Sequence, residues 1–220
     1  MIGGMARSLN AFTPEKWALY AFAQEPLAGR FSQKEKLAFF REASACGIAL
    51  AKALRSRYAN ESIAQIAGME GAKLIRDRKA TDDVSAVFAT FTEPDEIRVF
   101  VDDAQRTDAL IREHALSDIT GGVKTEDVLL AHELYHYVES KDSSLYTAQK
   151  HALLFRVGRW ENRSRIRCLA EIGAMAFAQT LAGMACSAYV FDVLMLYAGN
   201  PQRALQAYQG IRRVCGEEGA

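Results

Sequence analysis

The run Ala131-His132-Glu133-Leu134-Tyr135-His136-Tyr137 constrains this chain more tightly than any other stretch. Residues four apart share one face of a helix, so His132 and His136 point two imidazoles at one spot, with Glu133 beside it. The flanks agree with a helix. Thr125-Glu126-Asp127 places acids in a first turn, where the helix dipole favours them. Val128, Leu129, Leu130 and Ala131 then make the segment apolar enough to be buried. Two imidazoles suit zinc (Zn2+), whose catalytic sites use three protein ligands and keep one position open for water. Such a metal lowers the pKa of its water to about 7, and Glu133 stands where a general base is needed. The competing reading of the motif is a surface helix with two exposed histidines.

Composition narrows the rest. The chain has 220 residues and is half hydrophobic, enough for one domain with a substantial core. Lys plus Arg equals Asp plus Glu at 27 each, so the net charge does not call for nucleic acid, and no nucleic-acid partner is expected. Cys46, Cys168, Cys186 and Cys215 are widely spaced and are expected as reduced thiols, three of them in apolar or Ala-rich surroundings. The first dozen residues lack an apolar core of signal-peptide length, so a cytoplasmic location is the expectation. Ile172 to Phe191 carries no formal charge and is about long enough to span a bilayer. It is dominated by Ala and Gly and holds Gln179, Thr180 and Ser187, so tight packing in a core is preferred to a membrane span.

Along the chain, residues 1–12 read as loose. Thr13-Pro14 starts a helix with Thr as cap and Pro in the first turn. Ser32-Gln33-Lys34-Glu35 is a capping box for a helix to about Tyr58, in which Gly47 is expected to weaken or bend the rod. Asn60 is a candidate cap for a short helix. Residues 84–92 and Ile97–Val101 flank a turn at Glu93-Pro94 and read as a β-hairpin, with Ile97–Val101 expected as an exposed edge able to pair with an extended peptide. Asp102-Asp103 reads as a helix start rather than a metal site, and His114 as a surface residue. Residues 145–158 read as an amphipathic segment containing His151, and 159–167 as an arginine-rich, solvated helix start. Cys168 to Gly199 is apolar, Gly199-Asn200-Pro201 is a stop, and a last helix runs to about Val214.

Two histidines leave a zinc site one protein ligand short. The extension H-E-x-x-H-x-x-G-x-x-H is absent, since Glu139 and Asp142 occupy the Gly and third His positions. Glu171 is the preferred third ligand. It is the only acid between Glu161 and Asp192, and it opens a helix expected to be buried, where a lone carboxylate is costly unless paired or metal-bound. The alternative is a salt bridge to Arg167 one turn earlier. Ala170, Gly173 and Ala174 are small enough for that helix to pack closely on the motif helix.

The pattern His132-Glu133-x-x-His136 followed by Glu171-x-x-Ala174-x-x-Phe177-Ala178 resembles the zinc-dependent peptidases called gluzincins, and within them is most similar to the ImmA/IrrE-like group. Met175 stands where thermolysin-like enzymes usually carry Asp, which sets that branch aside. The resemblance implies an α+β zincin-like domain, mostly helical, with a small sheet beside the active-site helix. It also implies zinc on His132, His136 and Glu171, Glu133 as general base, and a peptide or protein substrate. The expected organisation is a single domain over 1–220, with a helical part at 1–75, a catalytic core at 84–185 and C-terminal helices at 186–214. Tyr135, Tyr137, His151 and Tyr189 are open candidates for a second oxyanion donor. Glu139 is read either as orienting an imidazole or as solvated. The alternatives to an intracellular peptidase are a non-catalytic zinc-binding interaction module and a membrane-associated metallopeptidase.

Overall fold

The computed structural model describes residues 1–78 and 86–217. It is an α+β fold, mostly helical, with one three-stranded sheet and one separate hairpin. Val84 and Ser85 of the expected first hairpin lie outside the described residues.

Six α-helices precede the motif helix among the described residues. Residues 1–12 are not loose: Ile2–Asn10 forms α1, because Ile2, Met5, Ala6 and Leu9 recur at helical spacing and are all buried. Helix α2 (Pro14–Ala23) starts with Pro after Thr13, as expected. Helix α3 (Gln33–Arg57) is opened by the Ser32–Glu35 capping box, with both reciprocal hydrogen bonds present. The cap of α4 (Ile63–Met69) is Ser62 rather than Asn60, and Gln65 closes a second capping box. Helix α5 (Val101–Glu113) carries Asp102 and Asp103 in its first turn, and α6 (Ser117–Thr120) is a single turn ended by Gly121.

Strands β1 (Lys73–Asp77), β2 (Ala89–Thr92) and β3 (Glu96–Phe100) form a sheet in the order β1-β3-β2. The β2–β3 pair is antiparallel and β1 joins β3 in parallel, with Leu74 beside Ile97. This overturns one expectation: the Ile97–Val101 segment is the interior strand, and the edge facing the motif helix is β2. The reason is β1, a short strand with charged ends that supplies the third partner. Ile97 and Val99 alternate inward, both fully buried.

The motif helix α7 (Thr125–Lys141) lies against this sheet on one side and against α9 (Cys168–Ala182) on the other. Between them come α8 (Tyr146–Gln149) and an antiparallel hairpin of β4 (His151–Val157) and β5 (Trp160–Arg165). The expected helical segments at 145–158 and 159–167 are thus largely strand. Val157 pairs with Trp160 across Gly158-Arg159, and Gly158, with φ +58°, supplies the positive φ that such a two-residue turn needs. The apolar run beyond Cys168 is split by Gly183, at φ +72°, into α9 and α10 (Tyr189–Gly199), followed by α11 (Pro201–Val214). Among the described residues no helix is long and apolar enough to cross a membrane.

The placement of α9 depends on two glycines. A Cβ on Gly47 of α3 would stand 2.1 Å from the carbonyl oxygen of Gly173, and a Cβ on Gly173 would stand 2.3 Å from the Tyr135 hydroxyl of α7. Three helices therefore meet backbone on backbone and backbone on ring. Gly47 serves this contact and does not break α3, which runs unbroken through it. Arg55 near the end of α3 donates to the carbonyls of Glu61 and Leu181, tying α3 to the last turn of α9.

Gly47→Ala should lower stability by about 2 kcal/mol or more, because the atom it meets is backbone and cannot swing away. Gly68→Ala in α4, where nothing lies within 4 Å, should be neutral or stabilising. Chemical denaturation of the two variants checks both; equal effects would contradict the packing argument.

Candidate metal centre

Helix α7 carries His132 and His136 one turn apart, and α9 brings Glu171 across from the facing helix in its own first turn. The two Nε2 atoms are 3.1 Å apart. The Glu171 carboxylate oxygens lie 3.3 Å from His132 Nε2 and 3.5 Å from His136 Nε2. One donor atom from each residue falls within 4.8 Å of the others, and the three are the group of His, Cys, Asp or Glu side chains among the described residues that can hold a metal ion.

These distances match a shared cation. Zinc bonds of about 2.0–2.1 Å to nitrogen and oxygen, set tetrahedrally, place the ligand atoms about 3.3 Å apart. Two imidazole nitrogens facing each other need a proton or a cation between them, since their lone pairs otherwise repel. The donor set of two imidazoles and a carboxylate fits zinc.

The Glu171 side chain is 57% exposed on the cleft side, yet protein packed around it still makes its charge costly unless it is paired. It does not pair with Arg167: its partners are the two imidazoles. Without a metal, burial disfavours the His132 imidazolium, but hydrogen bonding to Glu171 and the charge of Glu133 outweigh this and raise its pKa to about 9. For Glu171 burial works against ionisation too, yet His132 and His136 hold its carboxyl well below the usual range. Asp192, on α10, is pushed up to about 7 by burial, partly countered by His132.

Two cavities meet at the site. A cleft of about 660 Å³ is lined by Thr90 and Phe91 of β2, by His132, Glu133 and His136, and by Arg165, Arg167 and Glu171. A second cavity of about 320 Å³, walled mainly by apolar side chains including Leu129, Met175, Phe191 and Met195, shares His132, Glu133 and Glu171 with it and has Asp192 in its wall. Glu133 thus borders both, and its carboxylate has no hydrogen bond or ion pair among the described residues.

Behind the histidines lies a polar chain that sequence reading missed. Thr147 Oγ1 donates to Glu139 Oε1 at 2.5 Å, so the Tyr135 hydroxyl must donate to Thr147, at 2.6 Å. Arg165 of β5 closes the chain on Glu139 Oε2 at 2.6 Å. Glu139 therefore neither orients an imidazole nor faces solvent: it is buried between Thr147 and Arg165. The only hint in the sequence was an acid one turn after His136 on an otherwise apolar face. No protein-family model, characterised protein or solved structure matches this chain. The chemistry of the site rests on its own geometry.

Three of the four candidate oxyanion donors, Tyr135, Tyr137 and His151, have their polar atoms engaged away from the cleft. Tyr135 is committed to Thr147, and Tyr137 donates to the Glu70 carbonyl at 2.8 Å. Tyr189 stacks its ring on Trp17 at 4.9 Å, while its buried hydroxyl has no hydrogen-bond partner among the described residues and lies within electrostatic reach of Asp192 and Glu171. His151 is exposed at the start of β4, with Nδ1 at 2.7 Å from the Gln149 carbonyl. The cation that does line the cleft without an ion pair among the described residues is Arg167.

A folded-state pKa raised above the unfolded value stabilises a protein below the unfolded pKa, and the gain is lost as pH rises through the folded one. The metal-free protein should therefore lose stability as pH rises from 6.5 to about 9, and His132→Gln should flatten that slope. Thermal denaturation in chelator across this range is the check; an unchanged slope in the variant would contradict the charge pairing.

Proposed function

We propose that this chain is a zinc-dependent metallopeptidase, with His132, His136 and Glu171 as metal ligands and Glu133 as general base. The observation that carries the reading is the convergence of those three donors from two helices, 3.1 to 3.5 Å apart, beside a carboxylate that is otherwise uncommitted. Zinc bound there supplies Lewis acidity toward a peptide carbonyl and lowers the pKa of a water to about 7.

The protein's own groups do the rest. Glu133 takes the proton of the attacking water and returns it to the leaving amine, and its place at the seam of the two cavities lets it reach both sides of a scissile bond. Among the described residues the outer edge of β2 is unpaired, and β2 lines the cleft, so an extended peptide pairs there, adding a strand above α7. Phe91 of β2 rests edge-on against Tyr137 at 5.9 Å, which fixes the strand to the helix below it. Arg167 supplies positive charge to the same cleft, where the carbonyl oxygen gains negative charge. The resemblance to gluzincins of the ImmA/IrrE-like group and an intracellular setting belong to this proposal. A non-catalytic zinc-binding module is the rival, and the two part on Glu133, which a structural site does not require.

Glu171→Ala should strip zinc from the purified protein after dialysis against a chelator, whereas Glu161→Ala, on β5, should leave it bound. Equal zinc in wild type and Glu171→Ala would contradict the ligand set. Glu133→Gln should keep the metal and lose about two orders of magnitude or more in peptide hydrolysis. Undiminished hydrolysis by that variant would remove Glu133 from the reaction.

A further inference from the structure

A net charge of zero conceals a strong segregation. Residues 150–167, which contain β4 and β5, hold six Lys or Arg and one acid, Glu161, so they carry +5 and the other 202 residues carry −5. Part of this charge is matched locally. Arg156 and Arg163 share Glu161, and Arg165 pairs with Glu139. Arg159, in the turn at the hairpin tip, has no ion pair among the described residues.

The register sorts the two faces. Trp160, Asn162 and Ser164 share a face of β5, and their partners Val157, Phe155 and Ala152 lie on the same side. Arg156 and Glu161 pair on the opposite side. At the base, the first face is covered and Ala152 is buried. Toward the tip it is bare: Phe155 is 55%, Val157 67% and Trp160 83% exposed. An apolar face that is covered at one end and open at the other is half of an interface.

We propose that the β4–β5 tip docks on an anionic phospholipid surface, with Phe155, Val157 and Trp160 entering the headgroup–acyl boundary and Arg159 meeting lipid phosphate. Size argues for this occupant over a protein. Three side chains of this kind offer roughly 400 Å², about half of the ~800 Å² per partner that a stable protein interface buries. A bilayer surface accepts a projecting apolar wedge without a complementary pocket, and Trp with Arg suits the boundary between headgroups and chains. Charge then sets orientation. The −5 remainder of the chain is repelled by an anionic surface while the +5 segment 150–167 is drawn to it, with four Arg against one acid in the hairpin itself, so the hairpin side approaches. Lipid binding of this kind needs no membrane-crossing helix and is independent of the peptidase proposal.

The test uses the full chain and vesicles of phosphatidylcholine with about one third phosphatidylglycerol, beside pure phosphatidylcholine vesicles. Co-sedimentation should occur with the anionic vesicles, weaken at high salt, and be accompanied by a blue shift in emission from Trp160; Trp17, only 5% exposed, changes little. Val157→Ser combined with Trp160→Ser should reduce partitioning by about tenfold or more while keeping the wild-type melting temperature, since both side chains are exposed. Arg159→Glu should weaken it as well. Failure of the wild type to sediment with anionic vesicles would overturn the proposal, as would sedimentation that the double variant leaves unchanged. So would a lipid-free dimer that the double variant dissolves, which would make the tip a self-association surface. Binding to polyglutamate without binding to vesicles would likewise overturn it in favour of an acidic polypeptide.

Discussion

The site depends on how closely α9 can approach α7. Glu171 reaches the two imidazoles because Gly173, half a turn along the same helix, lets the Tyr135 ring lie against its backbone. Gly47 then lets α3 press on the other side of α9. A Cβ at either glycine would stand 2.1–2.3 Å from its neighbour, so α9 or the group facing it would have to shift, and Glu171 rides on α9. Close packing here sets the spacing of the three donors as well as contributing to stability.

Tyr135 joins that packing to the polar interior. Its ring fills the space left by Gly173, and its hydroxyl begins the chain through Thr147 and Glu139 to Arg165. A buried carboxylate with this many partners is satisfied, and breaking one link leaves the others exposed to the full cost of desolvation. The chain also connects the back of the motif helix to the base of the β4–β5 hairpin. The wall of the cleft that carries Arg165 is thereby held in register with the turn that carries His136.

Much of the site could be read from local sequence, because its signals are local. The i, i+4 histidines, the acidic first turn of α7, the Ser32–Glu35 box and the stop at Pro201 each act within one or two turns. Glu171 stands out in the sequence as the one acid in an apolar run, and its carboxylate lies beside the two imidazoles, whose pairing outweighs the cost of burial. Features that depend on distant partners were not legible. Strand β1 has only Leu74 and Ile75 between charged ends and becomes a strand through pairing with β3, which in turn makes β3 interior. Leu153, Phe155 and Val157 alternate as in a strand, but with Leu145 and Ala148 before them they also fit a helical stripe. The Gly158-Arg159 turn decides between the two. In α1 the spacing of Ile2, Met5, Ala6 and Leu9 was present, but it needed a core to bury against before it meant a helix. Gly47 was read by its intrinsic cost in a helix, whereas its role is set by Gly173, far along the chain.

The central claim is that two helices bring a metal ion's ligands together. It is tested most directly by crystallising the zinc-loaded protein and recording anomalous scattering on both sides of the zinc absorption edge. The account predicts a single strong peak about 2.0–2.1 Å from His132 Nε2, His136 Nε2 and a Glu171 carboxylate oxygen, with one position left to solvent. A zinc-loaded crystal with no peak between the two imidazoles, or with a peak there while Glu171 is turned away to Arg167, would contradict it.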